Sequence, residues 1–157
     1  MILYHGSNLE IRKPRLLKLQ RPTDFGNGFY LTSDLEQTSH WALRVTKRRK
    51  EGIATVSVFD VDDVGWNHLR IRSFDKDVEW LEYVFANRNQ LNAQDDWNVV
   101  WGPVADDQTM TTLGLYLSGR IKAHMAIEML LPQKLKDQYC FKSEAALNCL
   151  HFKEVLR

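Results

Sequence analysis

The chain has 157 residues, 21 basic against 20 acidic side chains, 44% hydrophobic residues and a formal net charge of +1. A chain of this length hides roughly two-thirds of its unfolded surface on folding, so one domain over residues 1–157 is expected. The ordinary apolar fraction excludes a mainly disordered chain. The balanced charge disfavours a dedicated nucleic-acid binder, which works through a basic excess.

In chain order, Met1 to His5 reads as a short strand that stops at the turn residues Gly6-Ser7-Asn8. Residues 9–24 are irregular and basic, with Pro14 and Pro22 as breakers and one helical turn expected at Leu16 to Leu19. Phe25 to Thr32 is a glycine-punctuated strand. Ser33 and Asp34 then suit a helix N-cap, apolar residues recur at helical spacing through Val45, Lys47 to Lys50 suit the C-terminal end, and Gly52 is expected to close the helix.

Ala54 to Val61 alternates as a strand. Asp77 to Arg88 is an amphipathic helix, and Trp97 to Val104 a strand ended by Gly102-Pro103. The Asp106-Asp107 pair suits the cap of a helix reaching Ser118, and a second helix runs from about Arg120 to Leu130 before Pro132. Gln138 to Phe141 is a short strand, Ser143 caps a short helix through Leu150, and His151 to Leu156 returns as a last strand. Strands and helices mix without strict alternation, which predicts an α+β fold.

No apolar run approaches the ~18 residues of a membrane helix, and Met1 to Ser7 lacks the basic start and apolar stretch of a signal peptide. A cytoplasmic location without membrane attachment is expected. Cys140 and Cys149 sit among apolar neighbours and read as buried free thiols. His40, His68, His124 and His151 show no ligand spacing, so no metal is assigned. Glu79 and Glu82 read as a solvated helix face.

Three segments carry chemistry: Tyr4-His5-Gly6-Ser7; Phe25-Gly26-Asn27-Gly28-Phe29-Tyr30-Leu31-Thr32-Ser33, continuing to Ser39-His40-Trp41-Ala42; and Asp137-Gln138-Tyr139-Cys140-Phe141. Their order and character resemble the ADP-ribosyltransferase superfamily of the diphtheria-toxin and poly(ADP-ribose) polymerase type. The resemblance implies a split β-sheet core with peripheral helices and NAD in the cleft between the sheets, as substrate rather than resident cofactor. It implies that His5 positions a ribose hydroxyl, that Gly6 and Ser7 hold the nicotinamide amide, and that Tyr30 and Trp41 stack on its ring. A tryptophan buried in the core remains the alternative for Trp41, as does a solvent-facing strand residue for Gln138.

Gln138 falls where many members carry glutamate. It keeps an acceptor oxygen and lacks the charge that favours the transition state. Single ADP-ribosyl transfer is therefore expected rather than polymer synthesis. Asp137 and Glu144 are other nearby carboxylates, though side-chain alternation turns Asp137 away if Gln138 faces the cleft. The middle of the chain is more like small bacterial stand-alone relatives of these enzymes, which often act as the toxin of a toxin–antitoxin pair. The partners implied are NAD, a protein or nucleic-acid acceptor and a neutralising antitoxin protein. The rival functions are NAD hydrolysis, a catalytically inactive module binding NAD or ADP-ribose, and a protein-interaction module that merely keeps the fold. The basic stretch from Arg12 to Arg21 either meets a pyrophosphate or acidic target or is solvated surface.

Overall fold

A computed structural model describes residues 1–18, 21–89, 95–105, 107–132 and 134–157. The first strand, β1 (Ile2–Ser7), runs two residues beyond the predicted stop, because Gly6 and Ser7 pair with Val56 and Thr55. It lies antiparallel to β3 (Thr55–Val61), which pairs in turn with the C-terminal strand β7 (Leu150–Leu156). These three strands form one sheet in the order β1-β3-β7.

The second sheet has the order β2-β6-β5-β4, from β2 (Phe29–Leu31), β6 (Asp137–Phe141), β5 (Val99–Pro103) and β4 (Ile71–Ser73). Only the β4–β5 pair in it is parallel. The strand expected from Phe25 is shorter, since residues 25–28 are a turn in which Gly26 takes a φ of +82°. A reciprocal bridge joins the two sheets, with Tyr4 N–H to Thr32 O at 2.9 Å and Thr32 N–H to Tyr4 O at 3.0 Å.

Side-chain alternation along the second sheet builds two cores. Val99, Tyr139 and Phe141 face the first sheet, where Leu3, Phe59 and Leu150 complete one cluster. Val100 and Cys140 face the other way, against Trp80, Leu81 and Val84 of helix α3 (Val78–Arg88), Leu113 of α4 (Asp107–Leu117), and Ala126 and Leu130 of α5 (Ala123–Leu130). The central strands β5 and β6 are thus buried on both faces. Both cysteines are free and buried, as expected, and burial pushes the Cys140 thiol up to about 12.

Helix α1 (Leu35–Arg49) packs on β1 and β3 through Thr38, Ala42 and Val45. Asp34 caps it by accepting from Gln37 N–H at 2.8 Å. Its closure differs from expectation: Lys50, not Gly52, takes the left-handed cap position at φ 57° and donates its N–H to Thr46 O at 2.8 Å. Gly52, also left-handed, instead lies against the Asn8 main chain.

Two elements were not anticipated: α2 (Asp63–Trp66) and β4. The helix capped by Ser143, α6 (Glu144–Leu147), ends before Leu150, which already belongs to β7. Residues 16–18 are not helical; Leu19, the end of the expected turn, and Asp106, half of the expected cap, lie outside the described residues. No helix among the described residues is long and apolar enough to cross a membrane.

Candidate functional site

A cleft of about 890 Å³ opens between β1, β2, α1 and the chain entering β2, within the roughly 300–1,000 Å³ range of small-molecule sites. It brings together all six candidate residues: His5, Gly6, Ser7, Tyr30, Trp41 and Gln138. They come from four elements up to 133 positions apart in sequence (138 − 5), and the pairing of strands assembles them.

His5 stacks on Phe29 with ring centroids 4.3 Å apart, and its Nδ1 lies 2.8 Å from the main-chain oxygen of Tyr30. A carbonyl only accepts, so Nδ1 carries the proton and Nε2 is left as an acceptor. Burial depresses the imidazole pKa, more than the Tyr30 carbonyl raises it. The ring is therefore a neutral, oriented acceptor suited to a hydroxyl donor.

Tyr30 lines the cleft, and its hydroxyl is occupied by the turn before β2. The hydroxyl lies 2.7 Å from Gly26 O and 3.0 Å from Thr23 Oγ1, and it accepts from Phe25 N–H at 3.1 Å. Burial pushes the phenol well above its ordinary value, so it serves as a clamp on residues 23–26 rather than as a base.

Gln138 lies in β6 opposite Gly102 of β5. Its Nε2 donates to Asp24 Oδ2 at 2.8 Å and to Pro103 O at 3.3 Å, which leaves Oε1 as its remaining acceptor. Asp24 is only 6% exposed. A buried carboxylate needs charge-bearing or N–H partners, and Asp24 has them: Arg88 Nε at 2.7 Å and Ala105 N–H at 3.0 Å. Asp137 points the other way, accepting from the Thr32 hydroxyl at 2.7 Å and Ser33 N–H at 2.9 Å, as alternation required. Glu144 is exposed and outside the cleft lining.

Gly6 has a packing reason of its own. A Cβ there would stand 2.5 Å from Thr38 O of α1, so the glycine lets the helix lie directly on the strand. Ser7 is buried, with its hydroxyl 3.4 Å from Asn8 Oδ1. Trp41 is 48% exposed and faces the Arg48 guanidinium at 5.8 Å, which sets aside the core alternative for this tryptophan. Arg12, Lys13, Arg15, Arg48, Arg49 and Arg88 line the cleft against Glu10 and Asp24. The lining is net cationic although the whole chain is nearly neutral, so part of the basic stretch does meet the cleft.

The sequence did not single out Asp24, Arg88 or Gln37. Gln37 stands three residues after the cap Asp34, where a capping box would use it to accept Asp34 N–H. Thr32 Oγ1 accepts that proton instead, at 3.1 Å. Gln37 Oε1 is left buried without a hydrogen-bond partner at the cleft wall. No cluster of metal-ligating side chains occurs among the described residues. Glu79, on the solvated face expected for it, pairs with Arg72.

A family model described as "Protein of unknown function (DUF3990)" matches residues 1–152. No curated protein and no solved structure matches the chain.

Proposed function

The chain belongs to the DUF3990 family of unknown function, and from its cleft we propose that it binds NAD and transfers one ADP-ribosyl group to a macromolecular acceptor. The observation that carries this is the neutral imidazole of His5, locked with Nε2 as acceptor, in one hollow with Tyr30 and the anchored Gln138 amide. The two-sheet α+β architecture supports an ADP-ribosyltransferase-like fold. Volume and cationic lining suit a dinucleotide with a pyrophosphate, and the buried, unpaired Gln37 oxygen marks a wall built with polar capacity to spare.

NAD bound there would supply the bond between ribose and nicotinamide, which breaks with its electron pair leaving on the nicotinamide nitrogen while an acceptor atom bonds the ribose carbon and releases its proton. His5 Nε2 orients a ribose hydroxyl. Gly6 and Ser7 flank the amide, Tyr30 and Trp41 offer ring faces, and Gln138 Oε1 faces the reacting ribose. The cationic rim balances the phosphates. The acceptor, a protein or a nucleic acid, and a neutralising antitoxin partner in the cytoplasm belong to the same proposal.

Incubation with NAD labelled in the adenylate half tests it. Label on a macromolecule with loss of that label in the His5→Ala variant is the expected result. Free ADP-ribose alone makes the protein a hydrolase. Saturable binding with intact NAD favours a second reading, a binding module, for which one observation speaks: the cleft's buried carboxylate is already matched by Arg88. No binding at all overturns the proposal.

A further inference from the structure

We propose that Asp24 is the working carboxylate of this cleft and acts through Gln138 as a positioning residue, an inference that rests on the ADP-ribosyl transfer proposed above. Gln138 replaces the charge that its strand position would otherwise carry, but the charge has not left the site. It lies one hydrogen bond behind the amide, with Asp24 Oδ2 2.8 Å from Gln138 Nε2.

The arrangement has two consequences. Both amide protons are engaged, one by Asp24 and one by Pro103 O, so the amide cannot turn over and Oε1 is fixed as the acceptor. A carboxylate accepting from an amide N–H also polarises it, and electron density rises on the amide oxygen. Gln138 Oε1 thereby becomes a stronger acceptor toward a ribose hydroxyl and a better neighbour for positive charge developing on the sugar. Asp24 is held for this task from three sides. The turn before β2 carries it, Arg88 reaches it from α3, and Ala105 N–H meets it from the chain after β5. Arg88 is the cation that pairs with Asp24; among the described residues the end of β5 and the chain after it contribute the uncharged Pro103 O and Ala105 N–H, and Lys136 and Asp137 at the start of β6 are turned to Asp34, Thr32 and Ser33.

The test compares the wild-type chain with Asp24→Asn, Gln138→Glu and the exchanged pair Asp24→Asn/Gln138→Glu. Nicotinamide release, NAD affinity by calorimetry and melting temperature are measured from pH 5 to 9. Asp24→Asn is expected to keep NAD affinity within about threefold and to lose turnover at least about tenfold, the pattern of an interaction used in the transition state. Gln138→Glu places two carboxylates at hydrogen-bond distance, where they share a proton. Relative to the wild type, its melting temperature is therefore expected to fall with a slope between pH 5 and 8 as that proton is lost. The exchanged pair again holds one carboxylate and one amide, so it is expected to lose that slope and to turn NAD over faster than either single variant. A merely structural Asp24 predicts no such recovery of turnover. Asp24→Asn with wild-type turnover, or an exchanged pair no faster than the slower single variant, overturns the role given to Asp24. Absence of turnover in the wild-type chain overturns the transfer function itself, and with it this role.

Discussion

His5 is an imidazole stacked on Phe29 and bonded to a main-chain carbonyl. Desolvation lowers its pKa from 6.5. On acidification the unfolded chain therefore protonates this histidine before the folded chain does. The stability owed to neutral His5 is complete above about pH 6.5 and declines as pH falls through that value toward the lower folded one, with a limiting slope of about 1.4 kcal/mol per pH unit. Urea melts at pH 5.5 and 7.5 are expected to show a smaller acid loss for His5→Gln than for wild type; equal losses would mean that His5 titrates normally. Gln37 gives the opposite kind of test. Its orphaned Oε1 is an unfavourable burial, so Gln37→Met is expected to raise unfolding stability by about 1 kcal/mol, measured by urea melts. His5 and Tyr30 were legible in the sequence because each sits inside a short local motif. Asp24 was not, since its partners lie 64, 81 and 114 positions away, and nothing local distinguishes it from any loop aspartate.

Among the elements, α1 shows how close packing and site shape coincide. The helix was legible because cap, buried spacing and basic end all agree, yet its closeness to β1 depends on one missing side chain. Gly6→Ala is expected to force α1 away from the strand, since the new methyl meets main-chain oxygen rather than a flexible tip. A destabilisation of about 1–3 kcal/mol follows from such overpacking, and Trp41, carried on the same helix, moves with it. Thermal melts and the tryptophan emission spectrum report the two effects separately. β4 escaped notice for a different reason. Three residues, Ile71–Ser73, are too few for a period-two pattern, and the strand exists through its parallel pairing with β5. α2 is four residues held by the Asp62 cap, which accepts from Val64 and Gly65 N–H at 3.1 and 3.0 Å. Neither element contributes to the cleft lining, so the six candidate residues on β1, β2, α1 and β6 were readable while part of their scaffold was not.

At the scale of the whole molecule, the cleft depends on how two sheets are held edge to edge. Their seam includes the Tyr4–Thr32 bridge, and Asp137 fastens it from behind by accepting from the Thr32 hydroxyl, Ser33 N–H and the Ser33 hydroxyl. His5 and Gly6 stand on one side of that seam, and Tyr30 and Gln138 on the other. A small opening of the seam would therefore separate the two halves of the site and strain the core the two sheets share, while the core between the second sheet and helices α3, α4 and α5 stays intact. Asp137 does not line the cleft, which makes it a clean probe. Asp137→Ala removes acceptors from three donors, at about 1–3 kcal/mol for those left buried. Hydrogen exchange is expected to quicken at the Tyr4 and Thr32 amides and to stay slow at the β3 amides between β1 and β7. NAD affinity is expected to fall several-fold with it, because ligand contacts on both sides of the seam no longer keep one fixed spacing. Faster exchange at the bridge with unchanged affinity would show that the ligand is held by one sheet alone.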